Sequence, residues 1–394
     1  MLVRRLKEEE IREALIIAKV CFHSRTEDIS KVEPDRFEKE AEQWGAFDDD
    51  GTLIARIQND RYQSNLDGKT VENGGIGGVS TLPEYRTGGA VRKIFEALLP
   101  EARKNGEVIS TLYPFSHAFY RKFGYETLVH QNIYEMTPEV LKDYHFYGTA
   151  AMFRPGDSVT PYTELYQAFT AHRNLALRRN DEYMKEEWLY EDPYKSRCFS
   201  YLLSEGGKPC AYVIFQDLQH DPQAILKVEE AVFRDRNGFL ALLGFLSRFS
   251  ADYGTIRLPL PTDIDLLSLI HSERSYSIKK SPRQDYMIRV VNAEKLLGTI
   301  RVPEGESFVI RVNDELLPGN CGFFRVTGGA SGNLVERTED PADLTVSEKA
   351  LGQMAAGGIG LSEARLREDV EITGNDALLE RVFRRKAIYI MDHF

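Results

Sequence analysis

A chain of 394 residues is too long for one compact core and divides into two or three domains. With 42% apolar and 28% charged residues it has a globular composition, and no apolar run approaches a membrane span. The net charge of −11 argues against nucleic acid as a partner, and the four scattered cysteines, Cys21, Cys198, Cys210 and Cys321, match neither a disulfide framework nor a metal site. The start, Met1-Leu2-Val3-Arg4-Arg5-Leu6-Lys7, runs into acids rather than a signal-peptide core, so the expected setting is the reducing cytosol.

Residues 11–21 place apolar side chains at helical spacing, and residues 52–58 alternate like a strand after the turn at Asp48-Asp49-Asp50-Gly51. A β-rich run then ends in Val79-Ser80-Thr81 and feeds the turn Leu82-Pro83-Glu84-Tyr85-Arg86, followed by Thr87, Gly88 and Gly89. A helix opens behind the glycines, with Val91, Ile94, Phe95, Leu98 and Leu99 as its apolar stripe. Such a loop turns backbone N–H groups inward, and the helix end adds free donors and a positive dipole, which together suit a pyrophosphate. The Gly-Lys-Ser/Thr of a P-loop is missing, as is the usual order of the dinucleotide fingerprint. Residues 108–113 form the next expected strand, and Tyr113-Pro114-Phe115-Ser116-His117-Ala118-Phe119-Tyr120-Arg121-Lys122-Phe123-Gly124-Tyr125-Glu126 follows.

These two motifs carry a resemblance. Arg86-Thr87-Gly88-Gly89-Ala90-Val91 resembles the acyl-coenzyme-A loop of GNAT acetyltransferases, Arg/Gln-x-x-Gly-x-Gly/Ala, departing from it at Val91. Gly89-Ala90-Val91-Arg92 is similar to the Eis-type branch, the "enhanced intracellular survival" N-acetyltransferases. Phe119-Tyr120-Arg121-Lys122-Phe123-Gly124-Tyr125 resembles the GNAT segment in which a short helix sets a tyrosine beside the thioester.

The second segment, residues 137–288, repeats the plan faintly. Thr160-Pro161 starts a helix expected to continue over 165–177, and 198–203 with 211–215 read as a hairpin around Gly206-Gly207. Residues 225–233 form a strand, 239–249 a helix and 255–260 a strand. The connection Arg234-Asp235-Arg236-Asn237-Gly238 stands where the first segment has its glycines, and its aspartate would repel a pyrophosphate. This reads as a duplicated GNAT domain that has lost its coenzyme site. The third segment, from 289, offers strands near Val302, over 308–314 and 323–326, then Ser347 as a helix N-cap and Gly357 or Gly358 as its stop. It resembles the sterol-carrier-protein-like domain at the C-terminus of Eis-type proteins. The expected fold class is therefore α/β (α+β): tandem GNAT-like mixed-sheet domains over 1–136 and 137–288, then a sterol-carrier-protein-like α+β domain over 289–394.

Acetyl transfer from a thioester to an amine needs a proton for the departing thiolate and an acceptor for the amine proton, with no covalent enzyme intermediate. A phenol, with an ordinary pKa near ~10, stays protonated at neutral pH and suits the acid role. Tyr120 is the candidate by its place in the motif, and Tyr125 its rival. For the base, the Eis-type resemblance implies the α-carboxylate of Phe394, at the end of an alternating run expected to be a last strand up to Met391. Glu126, Asp392 and His393 are rival bases. The resemblance also implies acetyl-CoA as co-substrate, without a metal. Val79, Ser80 and Thr81 would meet its pantetheine, Arg86, Thr87, Gly88, Gly89, Ala90, Val91 and Arg92 its pyrophosphate, and Phe115 and Ser116 its channel. Glu27, Asp28 and Glu33 could attract a cationic acceptor. The implied acceptor is a small-molecule or lysine amine, with polyamines and aminoglycosides among the candidates; the implied assembly is a homo-oligomer, a hexamer in that family. The alternative is a non-catalytic binding protein whose sterol-carrier-like domain holds an apolar ligand or partner.

Overall fold

The computed structural model describes residues 1–22, 41–189, 198–218, 224–270 and 277–393, and among these the strands assemble into three sheets. Contacts divide the chain into two compact units. One comprises Met1–Leu128, Asp285–Arg385 and the residues from Asp392; the other comprises Val129–Gln284 and Lys386–Met391.

In the first unit the leading sheet runs, edge to edge, Leu2–Arg5, Glu42–Phe47, Leu53–Leu66, Lys69–Thr81, Ile109–Leu112, Tyr286–Val290, Glu126–Leu128. The helix Ala90–Lys104 covers it, because Ala90, Ile94, Phe95, Leu98, Leu99 and Ala102 recur at the helical period and are all buried. Ile94, Phe95, Leu98 and Leu99 each contribute about 1.5–3 kcal/mol by leaving water, the two alanines less. The sterol-carrier-like region of the same unit builds a five-stranded sheet, ordered Leu334–Arg337, Gly322–Thr327, Ser307–Asn313, Leu344–Ser347, Val370–Ile372. Its helix Glu348–Ala356 begins at Ser347, whose hydroxyl accepts the Ala350 amide, and stops at Gly357 with φ +87°.

The second unit holds a seven-stranded sheet, ordered Ile278–Arg283, Gln131–Met136, Thr255–Pro261, Ile225–Phe233, Lys208–Leu218, Cys198–Glu205, Thr149–Met152. Inside it the Glu230 carboxylate accepts four hydrogen bonds, two from Arg179 and one each from Tyr212 and Tyr389. Arg179 is also sandwiched between the rings of Tyr166 and Trp188, 3.9 Å from each.

Several expectations shift. Gln131–Met136, assigned above to the first domain, pairs in the second sheet, and Tyr286–Val290 returns from the second segment into the first. The contact divisions therefore fall after Leu128 and after Gln284. A period-2 pattern shows that a strand exists, not which sheet completes it. The helix expected to start at Thr160 and continue to 177 starts there but ends at Thr170; the chain then turns, and Leu175 takes a left-handed φ of +67°. The helix expected over 239–249 is Arg236–Leu246, with a 3-10 turn over Ser247–Ala251. The expected last strand reduces to one bridge between Ile388 and Asn174, and Ile388, Tyr389, Ile390 and Met391 are all buried rather than alternating. No helix among the described residues is long and apolar enough to cross a membrane.

Candidate active site

Leu53–Leu66 and Lys69–Thr81 stay paired as far as Thr81, whereas Lys69–Thr81 meets its parallel neighbour only over Asn73–Ile76, opposite Ile109–Leu112. Beyond Gly77 that side of the strand has no strand partner among the described residues. A bulge falls at the same place: Ser80 faces Arg56 and Gly77 faces Gln58, so Gly78 and Val79 together oppose one residue. Gly78 is required there twice over. Its φ is +57°, and a Cβ would lie 2.3 Å from the buried Arg56 guanidinium.

The splay opens a cleft of about 650 Å³. Val79, Ser80 and Thr81 line one side, and Arg86, Thr87, Gly89, Ala90, Val91 and Arg92 line another, with Phe115 across from them. Gly89 is the N-cap of the helix Ala90–Lys104 with φ +79°, and no side chain caps that end. Thr87 sits at φ +71°, a strained setting for a β-branched residue. Among the described residues the first-turn amides thus have no side-chain partner; they border an open space, and no acid lies in that turn. Their arrangement fits an anionic group such as a pyrophosphate.

Three of the expected site residues, Gly88, Ser116 and Tyr120, are not among those that line the cleft. Ser116 caps the short helix His117–Arg121, its hydroxyl accepting the Phe119 amide at 3.3 Å. The sequence reading missed Cys21, Phe22, Tyr85, Phe119, Lys122 and Phe123, all of which border the cleft. Lys122 was readable in principle, as a cation inside the second motif; the others arrive through tertiary folding.

Tyr120 is carried by His117–Arg121 and is 3% exposed, with Phe115 and Phe119 rings at 5.2 Å and Tyr125 at 6.2 Å. Burial, and secondarily Tyr125, push its phenol above the ordinary value. No hydrogen bond of its hydroxyl is formed with the described residues. Tyr125 differs: fully buried, its hydroxyl shares a 2.8 Å hydrogen bond with Ser110, which in turn donates to the Gly74 carbonyl. It is a core residue with its polar end already satisfied.

Of the rival bases, Glu126 is 5% exposed and accepts hydrogen bonds from Arg121 and from the amide and hydroxyl of Thr127. Burial would raise its pKa, but Arg121, the Thr127 amide and Arg367 outweigh it and hold the carboxyl below its usual range. Asp392 is fully buried, and its carbonyl accepts from the Tyr286 hydroxyl. The His393 ring packs edge-on against Tyr113 at 4.9 Å and stacks with Tyr286 at 6.2 Å. Tyr113 follows the strand Ile109–Leu112 directly and donates to Asp285 at 2.6 Å. Phe394 lies outside the described residues, as do Glu27, Asp28 and Glu33.

Comparison with known proteins decides the assignment. Residues 2–128 and 175–290 match acetyltransferase (GNAT) domain families, and residues 293–391 match the sterol carrier protein domain. The chain is a GNAT acyltransferase with a C-terminal sterol carrier protein domain. As a GNAT enzyme it uses acetyl-CoA as co-substrate and has N-acetyltransferase activity in the general sense, which answers the non-catalytic alternative. An uncharacterized N-acetyltransferase of Streptomyces avermitilis is 24% identical over 318 residues, 76% of this chain and 77% of the relative. A GCN5-related N-acetyltransferase from Anabaena variabilis superposes with a TM-score of 0.85 at 20% identity, each chain fully covered. Eis1 from Mycobacterium abscessus does so at 0.78, also at 20% identity and full coverage. At such identities these two structures speak for the fold, which this chain shares along its whole length.

Proposed function

We propose that the cleft holds acetyl-CoA and that the enzyme passes the acetyl group directly to an amine, with Tyr120 as general acid and the α-carboxylate of Phe394 as general base. The observation that carries this reading is the coincidence of three features in one cleft: the splayed strand, the uncapped helix end, and the edge of the helix that bears Tyr120. When bound, acetyl-CoA supplies an acetyl group activated as a thioester. Val79, Ser80 and Thr81 would offer strand backbone to its amides, and the amides of Gly89 to Arg92, with Arg86, Arg92 and Lys122, would hold its phosphates. Tyr120 Oη holds the proton that the departing sulfur takes. Its raised pKa keeps it protonated at neutral pH, and the same apolar surroundings raise the basicity of a thiolate formed there, so the two stay matched.

The grip of Tyr286 and Tyr113 on Asp392 and His393 supports the base. It fixes the two residues before Phe394 at the end of the strand Ile109–Leu112, in the same compact unit as Tyr120. An ionised α-carboxylate, with pKa near ~3.5, could then accept the amine proton directly or through a water. The family resemblance extends the reading to a small-molecule or lysine amine as acceptor, and to a homo-oligomer in the cytosol.

The test is thiol release from acetyl-CoA against a panel of amines. Tyr120→Phe should keep acetyl-CoA affinity and lower kcat by about 10²-fold or more. One glycine added after Phe394 moves the carboxylate by ~3.5 Å and should cripple turnover, while an N-terminal addition should not. Full activity in the extended protein would refute the base; full activity in Tyr120→Phe would refute the acid.

A further inference from the structure

The helix that carries Tyr120 has five residues, too few to persist without outside support. Its start is capped by Ser116. Its end is held by the Arg121 side chain, whose Nε donates to Glu126 Oε1 at 2.9 Å, with Nη2 2.8 Å from the same oxygen. The second oxygen of Glu126 faces Arg367 of the sterol-carrier-like domain, Nη2 to Oε2 at 3.7 Å.

Arg367 is itself tightly placed. Nε and Nη2 donate to the two oxygens of Asp369, each at 2.8 Å, and Nη1 donates to Gln353 Oε1 at 2.8 Å. Gln353 then reaches back to the first sheet, its Nε2 donating to the Thr127 carbonyl at 2.6 Å. Asp369 accepts the hydroxyl of Ser347, the residue that caps the helix bearing Gln353. The two residues that follow Tyr125, Glu126 and Thr127, are thus each gripped by a side chain from the third domain.

We propose that Arg367 is a positioning residue for catalysis: through Glu126 and Arg121 it fixes the short helix and so the aim of the Tyr120 hydroxyl. The inference rests on the reading of Tyr120 as the acid. It gives the sterol-carrier-like domain a duty in the transfer step that needs no ligand of its own. Glu126 lies between two cations, one of which, Arg121, has a side chain 47% exposed. Without Arg367 the contacts that remain, from Arg121 and from the Thr127 amide and hydroxyl, all fall on Oε1, and Oε2 loses the cation that ties it to the third domain. The grooved loop and splayed strand are untouched by the change, so coenzyme binding is largely spared.

The experiment measures kcat and the acetyl-CoA KM for Arg367→Ala in the parent and in the Tyr120→Phe background. A misplacement near ~1 Å can cost up to ~10²-fold, so about 10-fold is expected in kcat, with KM within about 3-fold. In the Tyr120→Phe background the same change should lower kcat no further, since the group being aimed is gone. Parental kcat in Arg367→Ala overturns the proposal. An equal fall in both backgrounds also overturns it, because general loosening would lower the residual rate as well. If Tyr120→Phe alone keeps parental kcat, it is the acid reading that has failed. Arg367→Met, which keeps the aliphatic stem, replaces the alanine variant should that one unfold.

Discussion

Two helices in this chain follow a strand in a GNAT-like sheet, and they begin differently. Ala90–Lys104 starts at Gly89, left-handed and without a side-chain cap, and its first turn borders the cleft. Arg236–Leu246 starts at Asp235, whose carboxylate accepts the amides of Asn237 and Gly238 at 2.9 and 3.1 Å. One end leaves its donors for an anion; the other satisfies them internally and adds a negative charge. Both helices bury an apolar face, so the fold survives either choice. On the reading proposed above, what separates a coenzyme loop from a plain strand–helix turn is a few residues of backbone chemistry, and the core does not register the difference.

The sharpest way to break this comparison is to give the first helix what the second has. Gly89→Asp should lower acetyl-CoA affinity by ~100-fold or more, since opposed like charges cost several kcal/mol. Calorimetry on the folded variant reads it, and unchanged affinity would remove the loop from the site. A second test uses the interior. Arg179→Met withdraws the cation from the fully buried Glu230 and should destabilise the second unit by about 3–5 kcal/mol in urea unfolding. Acetyl-CoA binding should not follow.

The first unit has a buried glutamate of the opposite kind. Glu107 is 3% exposed and receives one hydrogen bond, from Asn59 at 2.9 Å; burial pushes its pKa up to about 7. Its folded value exceeds the unfolded one, so its contribution to stability is complete below pH ~4.5 and is lost as pH rises toward 7. Glu348 is shifted the same way, also by burial first, to about 7. Glu107→Gln keeps an amide facing Asn59 and should flatten that slope in part, with a gain of up to a few kcal/mol at pH 8, read from melts across pH. A steeper slope in the variant would overturn the assignment. The smallest effect belongs to the second helix: Asp235→Ala should cost about 1 kcal/mol of stability, the usual worth of an N-cap. It should create no acetyl-CoA affinity, because the glycine turn is not there; a gain of binding would show that the cap alone had closed the site.

How far the sequence could be read follows from the range over which each feature is decided. Arg86 to Arg92 and Phe115 to Tyr125 declare themselves because loop, cap and helix are local, and their chemistry needs those residue types side by side. Cys21 and Phe22 reach the cleft from the far end of the first helix, Ile11–Phe22, and nothing in their neighbourhood announces it. Ser116 shows a second local role: its position suggested a channel residue, and its hydroxyl, just before a helix, serves as the helix cap. The tail misled: apolar alternation in residues 387–391 promised a strand, yet Tyr389 is fastened by its hydroxyl to Glu230 and the segment is buried on every side. Arg367 left no local mark at all, since its partner Glu126 is far away in sequence.

The strand Tyr286–Val290 lies between Ile109–Leu112 and Glu126–Leu128, antiparallel to both. During synthesis, those two neighbours leave the ribosome long before the strand that must separate them. At ~5–20 residues per second the wait is roughly 10–35 s. For that interval the nascent N-terminal sheet presents raw edges, the kind that invite pairing with another chain. Expression of residues 1–136 alone would make that interval permanent, so the first sheet is completed only once the chain has been made as far as Val290.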